Sequence, residues 1–208
     1  MLEHVPHWLG SMMRQLRAGA DKLVIVQPAL AIGEATIALS SPAFADRARL
    51  PERFTADGTG VSPPLLWDAP PPGTRSLALI VEDADAPAPA PLVHAVVWGI
   101  PADERALAEG AIARDGEGGA DGRDVGRNSF FSEGWLPPDP PTGHGAHDYV
   151  FQLFALADTP EVGANPGRGE IVRAMAGRVL AVGVLIGTYS RGEERPVGSG
   201  GVAGVARA

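Results

Sequence analysis

The chain has 208 residues, 45% of them hydrophobic, which is enough for one domain with a sizeable buried core. Its formal net charge of −8 lacks the basic surface expected of a nucleic-acid binder, and the absence of cysteine excludes disulfides, thiolate metal sites and cysteine nucleophiles. No apolar stretch approaches the ~20 residues of a membrane span, and the N-terminus lacks the order of a signal peptide, so we expect a cytoplasmic protein.

The first predicted element is a helix over residues 7–20. Apolar side chains recur there at helical spacing after Pro6, while Arg14 and Arg17 fall on the other side. Two roles fit such a helix: it lies on a membrane surface, or it covers its own domain or a second subunit. The segment has few basic residues for a surface anchor, so we favour the covering role and expect a homodimer. Residues 1–30 are thus predicted to be an N-terminal helical extension.

From about residue 35 the pattern changes to short apolar or alternating runs separated by Gly and Pro. This rhythm predicts a mostly antiparallel all-β domain over residues 31–191. The stronger candidate strands are residues 35–39, 76–81, 94–100, 149–156 and 182–189. Weaker candidates are residues 23–26, 53–55 and 65–67.

The remaining segments fill in the organisation of the chain. Residues 168–180 have an apolar stripe at helical spacing, which predicts a late helix that covers the sheet. Residues 113–127 are predicted to be a surface excursion and residues 137–141, rich in proline, a rigid loop. Residues 192–208 cannot bury enough apolar surface to offset the entropy of ordering, so we expect a flexible tail.

Polar side chains gather at the ends of the predicted strands. Strand alternation places His147 and Tyr149 on one face and Asp148 on the other. Asp83 and Asp85 follow the apolar run 76–81, and His94 begins the next run. A cleft rimmed by these acids, the two imidazoles and the phenol accounts for their placement. His4, His7 and His144 have no partner visible in the sequence and are expected at the surface.

Four ordered motifs resemble the phosphatidylethanolamine-binding proteins, in particular their bacterial Raf kinase inhibitor-like branch. They are "RFTADGTGVSPPLLWDAPPPGTRSLALIVEDADAP", "HAVVWGIP", "GRNSF" and "PPTGHGAHDYVFQLFAL", and the resemblance covers about residues 35–190. It implies an antiparallel β-sandwich of a large and a small sheet with an anion pocket at one end. It also implies a binding protein rather than an enzyme, one that takes phosphate-like or phosphorylated headgroup ligands and in some members inhibits kinases or serine proteases.

The resemblance transfers to individual positions. The family's Asp-Pro-Asp-Ala-Pro signature falls on residues 83–87, where Ala84 replaces the first proline, and its pocket histidine falls on His94. Its Gly-x-His-Arg-Tyr element falls on residues 145–149, where Asp148 replaces the common arginine. We expect this exchange to weaken the support of the site without abolishing it. The predicted ligand-binding residues are Asp83, Asp85, Pro87, His94, Pro141, Gly145, His147 and Tyr149.

Elementary chemistry gives these groups roles. Imidazoles, turn N–H groups and a phenol donate to oxyanion oxygens, and apolar walls strengthen such bonds by excluding water. Asp83 and Asp85, which cannot donate when ionised, are expected to accept loop N–H bonds, to hold the other nitrogen of a histidine or to meet an ammonium group of the ligand. Phosphate affinity is then expected to strengthen as pH falls through roughly 6.5, the ordinary histidine range.

Two other kinds of function stay open. His94, His147 and Asp83 or Asp85 resemble the ligand set of a two-histidine, one-carboxylate metal enzyme, although their spacing matches no known metal signature. An interaction protein would instead take a phosphorylated or acidic segment of a partner enzyme into the pocket and block it. No cofactor is predicted.

Overall fold

The computed structural model describes residues 17–114 and 124–191, in which nine strands form two sheets. The strands are β1 Leu39–Ser40, β2 Ala48–Arg49, β3 Leu65–Trp67, β4 Ser76–Asp83, β5 Leu92–Pro101, β6 Ala106–Leu107, β7 Asp124–Val125, β8 His147–Leu156 and β9 Val179–Tyr189. The described residues also form one α-helix, α1 Arg168–Met175, and 3₁₀ turns at Ala20–Lys22, Val24–Val26, Pro28–Leu30 and Glu52–Phe54.

The two sheets differ in size. The small sheet has the order β1-β3-β6 and the large sheet the order β2-β9-β8-β4-β5-β7. The pairings are antiparallel except that of β2 with β9, which is parallel. The prediction of a mostly β fold with a large and a small sheet and a late helix is confirmed.

The large sheet is buried on both faces, which explains why its central strand β4 is an almost unbroken apolar run. Leu77, Leu79 and Val81 of β4 point into a core cluster that also contains small-sheet residues such as Leu65. Alternate residues of β4 point into a second cluster on the opposite face. That second cluster contains Ala78, Ile80, Val24, Leu30, and Ile171 and Met175 of α1.

Residues 17–30, called the strap below, cross the second face of the large sheet. Buried Glu82 and Gln152 accept hydrogen bonds from the strap amides of Val24 and Ile25, at 2.8 and 2.7 Å. Arg168 of α1 pairs with the other oxygen of Glu82 at 2.5 Å. A buried carboxylate is tolerated when it is paired and hydrogen-bonded, so Glu82 joins the strap, the sheet and the helix.

Several sequence-based boundaries were wrong for local reasons. Residues 23–26 and 53–55 form 3₁₀ turns rather than strands. The late helix ends at Met175, and residues 179–180 belong to β9. Gly177, at a φ of 68°, makes the reversal between them, a conformation that glycine adopts without a Cβ penalty. The apolar stripe of residues 168–180 therefore combined a helical face with the first residues of a strand.

Residues 1–16, which include most of the predicted helix 7–20, lie outside the described residues, as do residues 115–123 of the predicted surface excursion and the tail 192–208. Residues 17–19 are not helical, and helical turns begin only at Ala20. In the described ranges, no helix is long and apolar enough to cross a membrane. The division into an extension, a β domain and a tail stays a prediction.

We predict that Glu82→Ala lowers the free energy of unfolding by about 3 kcal/mol, because it leaves the Arg168 guanidinium and the Val24 amide without their buried acceptor. Urea denaturation monitored by tryptophan fluorescence measures the change. Arg173→Ala, at an exposed position of the same helix, is the control and is expected to change stability by less than about 0.5 kcal/mol. Equal effects of the two substitutions would contradict the anchoring role of Glu82.

Candidate functional site

A pocket opens at the edge of the large sheet where β4 ends and where β5 and β8 begin. Its volume is about 190 Å³. Its wall contains Ala56, Asp83, Ala86, Pro87, Leu92, His94, Phe130, Leu136, Pro137, Asp139, Pro140, Pro141 and His147. The antiparallel pairing of β4 with β8 sets Asp83 opposite Tyr149, which brings the end of one strand to the beginning of the other.

A bulge in β5 aims His94 at this pocket. Val81 pairs with Ala95 and Glu82 pairs with Val93, so His94 has no partner on β4. Val93 packs in the second core cluster, whereas Ala95 packs in the first. The extra residue brings His94 to the same side as Ala95, with its ring 5.0 Å from that of Tyr149.

Both nitrogens of His147 are engaged within the protein. Nδ1 lies 2.8 Å from Asp83 Oδ2, and Nε2 lies 2.6 Å from Nδ1 of His144. All three side chains are buried. Because an ionised carboxylate can only accept, Nδ1 of His147 carries a hydrogen and donates it to Asp83. His147 lines the pocket with its ring, and Asp83 and His144 hold that ring in place.

His94 has one engaged nitrogen and one without a partner. Its Nδ1 lies 2.6 Å from the carbonyl oxygen of Leu136, so Nδ1 donates. Its Nε2 is buried and has no hydrogen-bond partner among the described residues. Burial lowers the pKa of His94 below 6.5, against the opposing influence of Asp83. At neutral pH the ring is therefore uncharged, and Nε2 accepts rather than donates.

This state of His94 changes the expected chemistry of the pocket. The sequence predicts imidazoles that donate to oxyanion oxygens, with a change in affinity near pH 6.5. A neutral His94 with a hydrogen on Nδ1 can instead only accept a hydrogen bond at Nε2. Because its pKa is lowered, His94 becomes a donor at that atom only at a lower pH than expected.

Tyr149 lies behind the imidazoles rather than in the pocket wall. Its ring contacts that of His94 edge-on and lies parallel to that of His147 at 6.4 Å. Its hydroxyl is buried without a hydrogen-bond partner among the described residues. Burial, followed by the Asp83 carboxylate, raises the pKa of Tyr149 well above 10, so the hydroxyl keeps its proton. The face shared by His147 and Tyr149 was predicted from strand alternation and is confirmed.

The structure brings five of the eight predicted site residues into one wall: Asp83, Pro87, His94, Pro141 and His147. Asp85, Gly145 and Tyr149 lie outside that wall. Asp85 accepts the amide of Asp148 at 2.7 Å and pairs with Arg17, so it supports the loop from outside. Gly145, at a φ of 109°, shapes the turn that leads into β8. Ligand contact at all eight positions stays a prediction.

Asp83 fills both of the structural roles expected for a carboxylate here. One oxygen holds His147, and the other accepts the amide of Asp85 at 2.8 Å.

Asp148 lies two residues before Val150, so the two side chains share one face of β8. Val150 packs with Leu23 of the strap on the far face of the sheet, away from the pocket. Burial and the neighbouring Asp85 raise the pKa of Asp148 above 3.8.

The proline-rich wall of the pocket is held by a charged network that was not predicted from the sequence. Arg191, which is only 8% exposed, bonds both Asp139 and Asp57. Tyr189 donates to Asp57 at 2.6 Å. The hydrogen bond that Asp57 accepts from Arg191 lowers the pKa of Asp57 below 3.8, although burial opposes that change. Burial alone would lower the pKa of Arg191, but its bonds to the two carboxylates raise it above the ordinary value.

His144 is the other residue that was missed, and its predicted surface position was wrong. It is fully buried against His147, with their ring centroids 4.7 Å apart. The glycines on either side, Gly143 and Gly145, both have positive φ and turn the chain so that His144 faces inward. The "GHGAH" spacing was the available signal, since a histidine between two glycines three residues before another histidine can fold back onto it.

The metal alternative finds no support in this geometry. Within residues 17–114 and 124–191, no three His, Asp or Glu side chains are arranged to hold a metal ion. Asp83 and His147 bond each other, and His94 turns its Nδ1 to a carbonyl.

Comparison with known sequences gives one consistent family. The family model described as phosphatidylethanolamine-binding protein matches residues 40–190. A UPF0098 protein of Methanothermobacter thermautotrophicus is 40% identical over 154 residues, which cover 74% of this chain and 99% of that protein. A UPF0098 protein of Aquifex aeolicus is 37% identical over 161 residues, with coverage of 76% and 91%.

Solved structures agree with the sequence comparisons. Escherichia coli YbcL, whose structure is described as a new member of the mammalian PEBP family, has a TM-score of 0.70 and 28% identity, with coverage of 75% of this chain and 99% of YbcL. CT736 of Chlamydia trachomatis, named as a homolog of phosphatidylethanolamine-binding protein, has a TM-score of 0.67 and 29% identity, with coverage of 76% and 99%.

We predict that Arg191→Met lowers the free energy of unfolding at pH 7 by about 2 kcal/mol, because Asp57 and Asp139 lose a largely buried cation. The lowered pKa of Asp57 means that its contribution is fully present above pH 3.8 and is lost as pH falls through the folded-state pKa. The difference between the two proteins should therefore shrink below pH 3.8.

Urea denaturation at pH 7 and at pH 3 measures both effects. Arg75→Met, at an exposed position, is the matched control and is expected to change stability by less than about 0.5 kcal/mol. A difference between wild type and Arg191→Met that is unchanged at pH 3 would show that charge pairing is not the cause.

Proposed function

This chain belongs to the phosphatidylethanolamine-binding protein family, and from that premise we propose that its strand-end pocket binds a small phosphorylated headgroup without changing it chemically. The observation that carries the proposal is that His94 lines the pocket and that its buried Nε2 has no hydrogen-bond partner among the described residues. A buried polar atom without a partner costs about 1–3 kcal/mol, and a ligand that supplies a hydrogen removes that cost.

The size of the pocket supports a headgroup rather than a whole lipid. A volume of about 190 Å³ lies below the roughly 300–1,000 Å³ of pockets that hold drug-sized ligands. Much of the wall is apolar, with Leu92, Leu136, Pro137, Pro140 and Pro141. Such walls exclude water and strengthen the few polar contacts that orient a ligand.

The protonation state of the wall selects the form of the ligand. Neutral His94 accepts at Nε2, so it favours a phosphate that keeps one hydrogen over a fully ionised dianion. Asp83 and Asp139 are also in the wall, and their negative charge favours a ligand with an ammonium group beside its phosphate. Phosphoethanolamine combines these two features.

The role of His147 in this proposal is positional. Its nitrogens are taken by Asp83 and His144, so it presents its ring to the ligand and keeps Asp83 oriented. The same contacts support binding rather than catalysis, since both nitrogens of His147 are engaged and neither is available as a general base.

The same proposal includes the packing of the two sheets face to face as a sandwich. The first core cluster supports it, because Leu65 and Trp67 of the small sheet share that cluster with Leu79 and Phe151 of the large one.

We predict that His94→Asn weakens the binding of phosphoethanolamine by tenfold or more, about the value of one hydrogen bond to a charged group. The asparagine amide can replace Nδ1 as the donor to Leu136, so the variant removes Nε2 while keeping the bond that positions the side chain. Isothermal titration calorimetry at pH 6 measures the affinity, and the melting temperature without ligand checks the fold. Unchanged affinity in a folded variant would contradict the proposal.

The pH dependence of binding is a separate prediction. Phosphate monoesters lose their second proton near pH 6, so the affinity for phosphoethanolamine should fall roughly fivefold to tenfold between pH 6.5 and 7.5. The methyl ester of phosphoethanolamine has no such proton, and its affinity should stay nearly constant over that range because His94 remains neutral there. Equal pH dependence of the two ligands would show that the protein, rather than the ligand, supplies the titrating hydrogen.

A further inference from the structure

The strap is bonded directly to the loop that carries the acidic residues of the pocket. The amide of Ala18 donates to the carbonyl of Ala86, and that of Gly19 to the carbonyl of Ala84, both at 2.9 Å. The loop concerned, residues 83–87, supplies Asp83, Ala86 and Pro87 to the pocket wall. The position of the strap therefore affects the position of the wall.

The strap is itself firmly attached to the far face of the sheet. Beyond its bonds to Glu82 and Gln152, its Lys22 carbonyl accepts from Arg168 at 2.6 Å. Leu23 packs with Ala84 and Val150. The strap is thus a fixed support at the level of the sheet, and it precedes residues 40–190, which the family model matches.

Arg17 is the side chain through which this support reaches the pocket. Its guanidinium pairs with Asp85 and also donates to the carbonyl of Ala146 at 3.2 Å. The second oxygen of Asp85 accepts the amide of Asp148. Arg17 and Asp85 together join the 83–87 loop to Ala146 and Asp148, the two neighbours of His147 in the chain. They therefore connect the same two segments as the Asp83–His147 bond does, but from outside the pocket.

The negative charges of three neighbouring carboxylates make the pairing of Arg17 with Asp85 important. Asp83, Asp85 and Asp148 come together at the same strand ends, and the pKa of Asp148 is raised first by burial and then by Asp85. Arg17 and Arg47 act in the opposite direction on Asp148. Without Arg17, the Asp85 carboxylate would face Asp148 with less compensation, and repulsion would push the two segments apart.

We infer that Arg17 is a positioning residue of the pocket: by pairing with Asp85 and bonding Ala146, it holds Asp83 and His147 in their bonded arrangement. The inference rests on the proposed function, because the expected consequence is a loss of ligand affinity. Arg17 does not line the pocket, so we expect it to act through Asp85 rather than by contact with the ligand.

The test compares Arg17→Gln, Lys22→Gln and the double variant Arg17→Gln with Asp148→Arg. Arg17→Gln is expected to weaken phosphoethanolamine binding about fivefold, in keeping with a partly exposed ion pair. The double variant supplies a new cation beside Asp85 and is expected to recover most of that loss. Lys22→Gln removes another strap cation, which bonds Pro89 but not Asp85, and is expected to change affinity less than twofold.

A second readout needs no ligand. The imidazole N–H proton that His147 donates to Asp83 gives a low-field proton NMR signal, which should broaden in Arg17→Gln and sharpen again in the double variant. A merely structural strap would lower stability in Arg17→Gln without rescue by Asp148→Arg, and that result overturns the inference. Unchanged affinity and an unchanged signal in Arg17→Gln also overturn it.

The two proposals fail in different ways. If the wild-type protein does not bind phosphoethanolamine or inorganic phosphate, the proposed function fails, and the NMR signal alone decides the role of Arg17. If the wild type binds and Arg17→Gln binds equally well, only the positioning role fails.

Discussion

The bond between Asp83 and His147 is the interaction on which the rest of the site depends. It joins the end of β4 to the beginning of β8 in a buried setting, and it can form only because these strands are antiparallel neighbours in register. Once His147 is held by Asp83 and His144, its nitrogens are not available to a ligand. The polar chemistry of the pocket then falls to His94, whose Nε2 is unpaired, and to carboxylates that the surrounding loops keep in place.

Strand alternation was sufficient wherever a strand is regular. In β8 the period of two correctly placed His147 and Tyr149 on one face, because no bulge interrupts residues 147–155. In β5 the same rule would put His94 opposite Ala95, whereas the bulge puts them on one side. A bulge depends on pairing with β4 and has no clear mark in "LVHAVVW", so the sequence predicted the presence of His94 at the site without the reason for it.

The support around the pocket was less accessible from sequence. Arg191, Asp57 and Asp139 come from three distant loops, and their association depends on tertiary packing rather than on any local period. His144 depends on two glycines with positive φ. The strap was predicted as part of a helical extension, yet its described residues form short 3₁₀ turns because buried Glu82 and Gln152 capture their amides. For the arginine network and for the strap, long-range polar contacts decided the local structure.

The two arginines that brace the pocket come from opposite ends of the described chain, Arg17 near its beginning and Arg191 at its close. During synthesis on a ribosome, the proline-rich wall cannot acquire its guanidinium support until the last strand has emerged. The contacts of Arg191 with Asp57 and Asp139 join residues that are far apart in the chain, so they carry a loop-closure cost and are formed slowly. The nascent protein therefore passes through a stage in which the sheet can begin to pair while the pocket wall is still incomplete.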